Sequence, residues 1–154
     1  MPSISRFQLL SRWQIPASRV EVWAALRNVN AWPGWWPYVA AVEELDAGQP
    51  DGIDACHRLH WTSRLPYSIR LVTRVSEVVP QTLLRAKASG DLVGEGCWRL
   101  ADSAHGTDVE YLWSVELDKP WMQFIAPLAR PVFEWNHHGV MAAGESGLRG
   151  FLSR

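Results

Sequence analysis

The sequence has few cysteines and no excess of basic residues, the features that mark disulfide-rich, metal-binding and nucleic-acid-binding proteins. It contains two cysteines, Cys56 and Cys97, among 154 residues, too few for a disulfide framework or a metal cluster built from cysteine alone. We interpret both as small buried or half-buried thiols. Lysine and arginine together number 15 against 16 acidic residues, a formal net charge of -1. Because nothing in this balance indicates a basic surface, nucleic acid is not an expected partner.

Long apolar runs are also missing. No segment approaches the length of a bilayer span, and residues 1–6 contain no apolar core of a signal peptide. We therefore expect a cytoplasmic protein. Apolar residues make up 47% of the chain and charged residues 20%, which is ordinary globular usage. A chain of this length predicts one domain over residues 1–154 with one sizeable core.

Tryptophan is the residue in excess. There are ten, against four phenylalanines and three tyrosines, and large rigid rings of this kind suit a pocket lining or an interface. Trp32, Trp35 and Trp36 lie in a segment rich in proline and glycine, for which we predict one short helical turn and a loop. Two interpretations stay open: these rings form the mouth of a pocket, or they are core beneath a C-terminal helix.

The apolar periodicity predicts a helix among many short strands. We expect a strand over 7–15, then a helix over 19–27 with Ser18 as its N-cap and Glu21 completing a capping box. A period of two follows, with short connections that imply successive antiparallel hairpins. The six strand-like runs are 38–46, 54–63, 67–79, 82–89, 92–102 and 107–118.

One face of these strands is apolar and aromatic, while the other carries arginine, lysine and acidic residues, the pattern of a one-sided antiparallel sheet. Glu95 and Arg99 belong to this charged outer face. After Pro120 the period becomes helical, and Pro127 and Pro131 should kink or interrupt it. We expect a broken first part, a continuous helix from about 131 to 148 and a frayed end. We therefore predict an α+β, helix-grip fold, in which a curved seven-stranded antiparallel sheet (β-α-α-β6-α) wraps around a long C-terminal helix and encloses a hydrophobic cavity.

Several segments carry a resemblance to a known superfamily. The chain resembles the birch-pollen allergen and the START lipid-transfer domains (the SRPBCC superfamily), and within it bacterial polyketide cyclase/dehydrase-like proteins. The resemblance covers nearly the whole chain and implies a helix-grip fold with a hydrophobic cavity, without fixing a reaction. The segments are Ile15-Pro16-Ala17-Ser18-Arg19-Val20-Glu21-Val22-Trp23, Trp32-Pro33-Gly34-Trp35-Trp36-Pro37, Ser89-Gly90-Asp91-Leu92-Val93-Gly94, Gly106-Thr107-Asp108-Val109-Glu110-Tyr111, Lys119-Pro120-Trp121-Met122, Pro131-Val132-Phe133-Glu134-Trp135-Asn136-His137-His138 and Gly144-Glu145-Ser146-Gly147-Leu148.

Few residues on the apolar face can move a proton. The phase that turns Leu59 and Trp61 inward also turns His57 inward and His60 outward, and a one-residue bulge would exchange the two histidines. His57 is a candidate general acid or base. The alternative is a structural core histidine whose ring nitrogens are hydrogen-bonded within the protein. Tyr67 is a second candidate for assisting proton transfer. The alternative is a packed tyrosine whose hydroxyl is hydrogen-bonded to the backbone or to water.

Further candidates would hold a ligand. The His137-His138 pair cannot face one ligand, since neighbouring helical residues point about 100° apart; Asn136 or His137 would lie at the cavity wall, or these residues would anchor the helix. The predicted ligand-binding residues are Trp35, Trp36, Trp61, Ile69, Leu71, Thr73, Trp98, Tyr111, Trp113, Phe124, Leu128, Trp135, Asn136 and His137. No metal-ligand spacing and no nucleotide-binding glycine motif is present, so we expect neither a metal nor a cofactor.

The leading hypothesis is a protein that binds a hydrophobic, aromatic or polycyclic small molecule in an internal cavity, either as a binding protein or as a polyketide cyclase/dehydrase-like protein. Whether it is an enzyme stays open, because no nucleophile with a paired base is visible. The alternatives are a non-catalytic carrier of a lipid or quinone that touches a membrane transiently, and a protein-interaction module that uses exposed tryptophans. The sequence leaves the ligand and the oligomeric state open.

Overall fold

The computed structural model of the chain describes residues 5–66, 68–117 and 120–154, with side chains for 7–66, 68–116 and 130–154. Its elements alternate as the sequence predicts, with two helical segments between the first and second strands. A short 3-10 helix (Val29–Gly34) follows α1. The elements are β1 (Ser5–Ile15), α1 (Arg19–Arg27), β2 (Val39–Asp46), β3 (Cys56–Trp61), β4 (Ile69–Val79), β5 (Leu83–Gly90), β6 (Val93–Ser103), β7 (Gly106–Leu117) and α2 (Pro120–Leu152).

The strands form one antiparallel sheet in the order β1-β7-β6-β5-β4-β3-β2. Successive hairpins lie side by side from β2 to β7, and β1 joins beside β7, so that β1 and β2 are the two edges. Register shifts occur twice in the β2–β3 pair and once in the β4–β5 pair, between Val75 and Glu77. The predicted α+β helix-grip architecture, with its seven-stranded sheet, is confirmed.

Helix α1 begins as its capping signal predicts. The Ser18 hydroxyl accepts a hydrogen bond from the Glu21 backbone N–H at 3.2 Å, which satisfies one of the unpaired donors of the first turn. Val22, Trp23, Ala25 and Leu26 are buried on the inner side of this helix. Helix α1 thereby closes one end of the core.

The prediction that the first part of α2 is broken is wrong. The helix runs without a break from Pro120 to Leu152 and passes through both Pro127 and Pro131. Proline removes one N–H donor from a helix, but its fixed φ is compatible with helical geometry. Each proline therefore costs a backbone hydrogen bond without ending this helix, which packs against β1, β7 and α1.

The tryptophans after α1 are core, so of the two open interpretations the structure supports the second. Trp32, Trp35 and Trp36 are all buried, and the Trp36 indole N–H donates to the backbone oxygen of Val140 on α2 at 2.9 Å. Two glycines of α2 permit this approach. A Cβ at Gly144 would lie 2.5 Å from the Trp36 ring, and one at Gly147 would overlap the Trp35 backbone oxygen.

The outer face of the sheet carries the predicted charges. Arg85 pairs with Glu77 and Glu95 across neighbouring strands, and Arg58 pairs with Glu43. Pairs of this exposed kind stabilise a fold by less than about 1 kcal/mol each. Within the described residues, no helix combines the length and the apolar character needed to cross a membrane.

Candidate functional site

A cavity of about 190 Å³ lies between the concave face of the sheet, the 3-10 helix and α2. Its wall is built mainly from the inward-facing residues of β3 to β7, together with α2 side chains from Phe133 to Met141. No aspartate, glutamate, lysine or arginine is among the described residues that line it. The wall is therefore apolar and aromatic, with a small number of uncharged polar groups.

Most of the residues predicted to face a ligand meet at this wall. Strand alternation explains their placement, since residues two apart share a face of the sheet. Those that line the cavity are Trp36, His57, Trp61, Ile69, Leu71, Thr73, Trp98, Tyr111, Trp113, Asn136 and His137.

Two predicted residues lie elsewhere. Trp135 is 51% exposed, and its ring lies under the Arg64 guanidinium at 4.8 Å from the ring centroid. Trp35 is buried and stacks on Trp36, but it is not among the residues that line the cavity. Helical spacing places Trp135 among the apolar residues of α2. It does not show which of these residues face the sheet and which are covered by a loop.

Three predicted residues cannot be placed in the cavity. Tyr67 lies outside the described residues, and so do the side chains of Phe124 and Leu128. Their assignment to the site stays a prediction.

His57, and not His60, faces the cavity. It is 6% exposed, and its Nε2 lies 3.6 Å from Oε1 of Glu44, which stands opposite on the edge strand β2. The same carboxylate oxygen accepts a hydrogen bond from the Asn30 side-chain amide at 3.2 Å. Burial lowers the pKa of His57, and the Glu44 carboxylate opposes part of that shift.

His137 approaches the cavity from α2. Its Nε2 lies 3.4 Å from the Ser11 hydroxyl of β1. Burial, followed by the charge of the neighbouring His138, lowers the pKa of His137 to about 4. The imidazole is therefore neutral near pH 7, and it can either donate to or accept from a ligand.

Tyr111 gives the cavity its third titratable group. Its ring lies 4.3 Å from the Trp98 ring, centroid to centroid, and it crosses Gly96 so closely that a Cβ there would overlap the hydroxyl. Burial raises the pKa of Tyr111. The phenol therefore stays protonated, and it makes no hydrogen bond to any residue that the structure describes.

The loop between β3 and β4 forms the rim of the cavity next to α2. Thr62 and Ser63 line the cavity, and the Arg64 backbone N–H donates to Oδ1 of Asn136 at 3.2 Å. The Arg64 side chain covers Gly139 on the helix and stacks on Trp135. Arg64 thus fastens this loop to α2.

Several lining residues were not identified from the sequence. Phe7 and Val115 have the inward phase of their strands, and that signal was sufficient to find them. Two residues behind the cavity wall, Glu44 and Asn30, gave no signal. The contact of Glu44 with His57 depends on the bulged register of β2, and Asn30 bonds to Glu44. Within the described part of the chain, no group of three or more His, Cys, Asp or Glu side chains is arranged to hold a metal.

Comparison with known structures gives the same fold. A protein from Thermus thermophilus aligns with a TM-score of 0.74 at 17% identity, covering 92% of this chain and 97% of the other. The Zhui aromatase/cyclase from Streptomyces sp. R1128 gives 0.73 at 16% identity, covering 99% and 95%. Ara h 8.0201 gives 0.62 at 13% identity, covering 99% and 100%. At such identities the likeness establishes the fold alone.

Sequence comparison supplies the family. No curated protein matches the chain. The model of the family described as polyketide cyclase / dehydrase and lipid transport matches residues 6–149, nearly the whole chain. The chain therefore belongs to the polyketide cyclase/dehydrase and lipid transport family.

Proposed function

We propose that the protein binds an uncharged, aromatic small molecule in the cavity between the sheet and α2. The observation that carries the proposal is the composition of the wall: aromatic and aliphatic side chains with three titratable groups, His57, Tyr111 and His137, and no full charge among the described residues. Ligand pockets of this type use a few polar groups to orient an otherwise apolar molecule. A charged ligand would lose its hydration without gaining a counter-ion.

The size of the cavity narrows the ligand further. A cavity of about 150 Å³ holds benzene, and this one measures about 190 Å³. It suits one or two aromatic rings. A ligand of three or four fused rings would require the wall to move.

A second candidate function is catalysis on such a ligand. It is favoured by the two imidazoles, His57 and His137, whose pKa values burial lowers, so that both can accept a proton near neutral pH. In this proposal the cavity would hold a polyketide-like chain in a folded conformation, and His57 would assist cyclisation or dehydration.

The binding proposal is tested with a variant that fills the cavity. Ala86 lines the cavity and Lys87, the next residue of β5, faces outward. Ala86→Phe should abolish binding of naphthalene measured by calorimetry, whereas Lys87→Phe, with the same ring on the outer face, should bind as the wild type does. Equal affinity in all three proteins would refute binding in this cavity. For catalysis, a turnover that His57→Ala leaves unchanged would remove His57 from the mechanism.

A further inference from the structure

The environment of His57 is asymmetric, and the asymmetry determines what its two nitrogens can do. Nε2 faces the Glu44 carboxylate at 3.6 Å, whereas Nδ1 makes no hydrogen bond to any described residue. A carboxylate only accepts hydrogen bonds, so the nitrogen that faces it is the one that carries the hydrogen of a neutral imidazole. Nδ1 is then left with an unshared electron pair.

Glu44 is held in place to impose this arrangement. Its register partner across the β2–β3 pair is His57, and its Oε1 also accepts a hydrogen bond from Asn30, next to the end of α1. Glu44 is 44% exposed on its side chain while that of His57 is 7% exposed. The carboxylate therefore lies at the solvent-exposed edge of the sheet, whereas the imidazole next to it is buried at the cavity wall.

We infer that Glu44, positioned by Asn30, fixes His57 in the tautomer with hydrogen on Nε2, so that Nδ1 selects ligands that carry a hydroxyl or another hydrogen-bond donor. The inference rests on the proposed function, because it needs a ligand in the cavity. It narrows the ligand class from aromatic molecules in general to those that carry an O–H or N–H donor, such as phenols and enols. Glu44 acts here as a positioning residue, and His57 is the group that touches the ligand.

Three other polar groups of the cavity wall, Tyr111, Asn136 and His137, are not held as acceptors in this way, and the hydroxyls of Thr62, Ser63 and Thr73 can donate as well as accept. Tyr111 carries a hydroxyl that can donate as well as accept, and its burial raises the pKa so that it keeps its proton. The Oδ1 of Asn136 already accepts from Arg64, and His137 lies close to Ser11. Of His57, Tyr111, Asn136 and His137, His57 is the one in which a neighbouring carboxylate leaves one atom, Nδ1, able only to accept a hydrogen bond.

The test of selectivity compares two ligands in two proteins. Calorimetry measures the affinity of 1-naphthol and of 1-methoxynaphthalene, which lacks the donor, for wild type and for His57→Leu. One neutral hydrogen bond to a buried acceptor predicts that wild type prefers naphthol by about tenfold, and that His57→Leu loses this preference. The extra methyl group of the ether affects both proteins. The naphthol-to-ether affinity ratio of wild type, divided by that of His57→Leu, therefore isolates the contribution of the hydrogen bond.

The test of Glu44 reads the tautomer directly. In ¹⁵N NMR spectra, wild type should show the Nε2–H form of His57. Glu44→Ala should lower the pKa of His57 further and reduce the preference for naphthol. Asn30→Ala should also lower this pKa and reduce this preference. Glu43→Ala is the matched control, since this neighbouring carboxylate pairs with Arg58 on the other face and should change neither.

The outcomes separate the inference from the proposed function. If naphthol and its methyl ether bind, but with the same ratio in wild type and His57→Leu, the inference is overturned and the cavity remains a ligand site. An Nδ1–H tautomer in wild type, or a His57 pKa that Glu44→Ala does not move, also overturns it. If naphthalene, naphthol and the ether all fail to bind, it is the proposed function that fails.

Discussion

The neutral imidazole of His137 should make the stability of the protein fall in mild acid. Its pKa is lowered to about 4 in the folded state from 6.5. Between those values the unfolded chain binds the proton that the folded chain excludes, so acid favours unfolding. The stability is intact above pH 6.5, and the loss is nearly complete once the pH reaches the folded pKa.

The magnitude follows from the two pKa values. Each unit of difference corresponds to about 1.4 kcal/mol, so His137 should remove about 2 kcal/mol from the free energy of unfolding at about pH 5 and about 3 kcal/mol at about pH 4. Urea unfolding followed by tryptophan fluorescence gives this free energy at each pH. His137→Gln keeps a polar side chain beside Ser11 but cannot titrate in this range.

The informative quantity is the difference between the two proteins. Other groups titrate in both, including His57, whose lowered pKa acts in the same direction. The unfolding free energy of wild type minus that of His137→Gln should therefore decrease by about 2 kcal/mol from about pH 7.5 to about pH 5. Parallel curves for the two proteins, or an NMR titration of His137 near 6.5, would refute the reasoning.

Two further predictions concern the helix and the rim. Gly144→Ala should destabilise the fold by about 2 kcal/mol, because its methyl group meets the buried Trp36 ring and overpacking outweighs the better helix propensity of alanine. Gly150→Ala, with no neighbour within 4 Å, should stabilise it by up to about 1 kcal/mol in the same urea assay. Arg64→Ala, by removing the cation–π contact with Trp135, should speed amide hydrogen exchange in the β3–β4 loop by about fivefold; unchanged exchange would show that the loop is fastened by other contacts.

Local patterns were sufficient to predict the sheet and the composition of the cavity wall. Alternation in β3 to β7 determined which side chains face inward, and the structure departs from it mainly where β2 and β4 bulge. Ser18 marked the start of α1 because the capping contact is made within one turn. These features depend on neighbours in sequence, so a single chain is enough to find them.

Features that depend on distant parts of the chain could not be predicted in the same way. Trp135 and Asn136 are adjacent on α2, yet the first is exposed beneath Arg64 and the second is buried. Neighbouring residues on a helix point about 100° apart, and the periodicity does not say which of the two directions faces the cavity. The contact between Glu44 and His57 likewise needs the register of an edge strand.

The central claim is that the ligand binds inside the protein. The most direct measurement is the set of nuclear Overhauser contacts between bound naphthalene and methyl-labelled protein. The account predicts contacts to Leu71, Ala88 and Met141, which line the cavity and are themselves buried. Contacts confined to exposed residues such as Val132 and Leu10 would contradict it, because they would place the aromatic ligand on the surface.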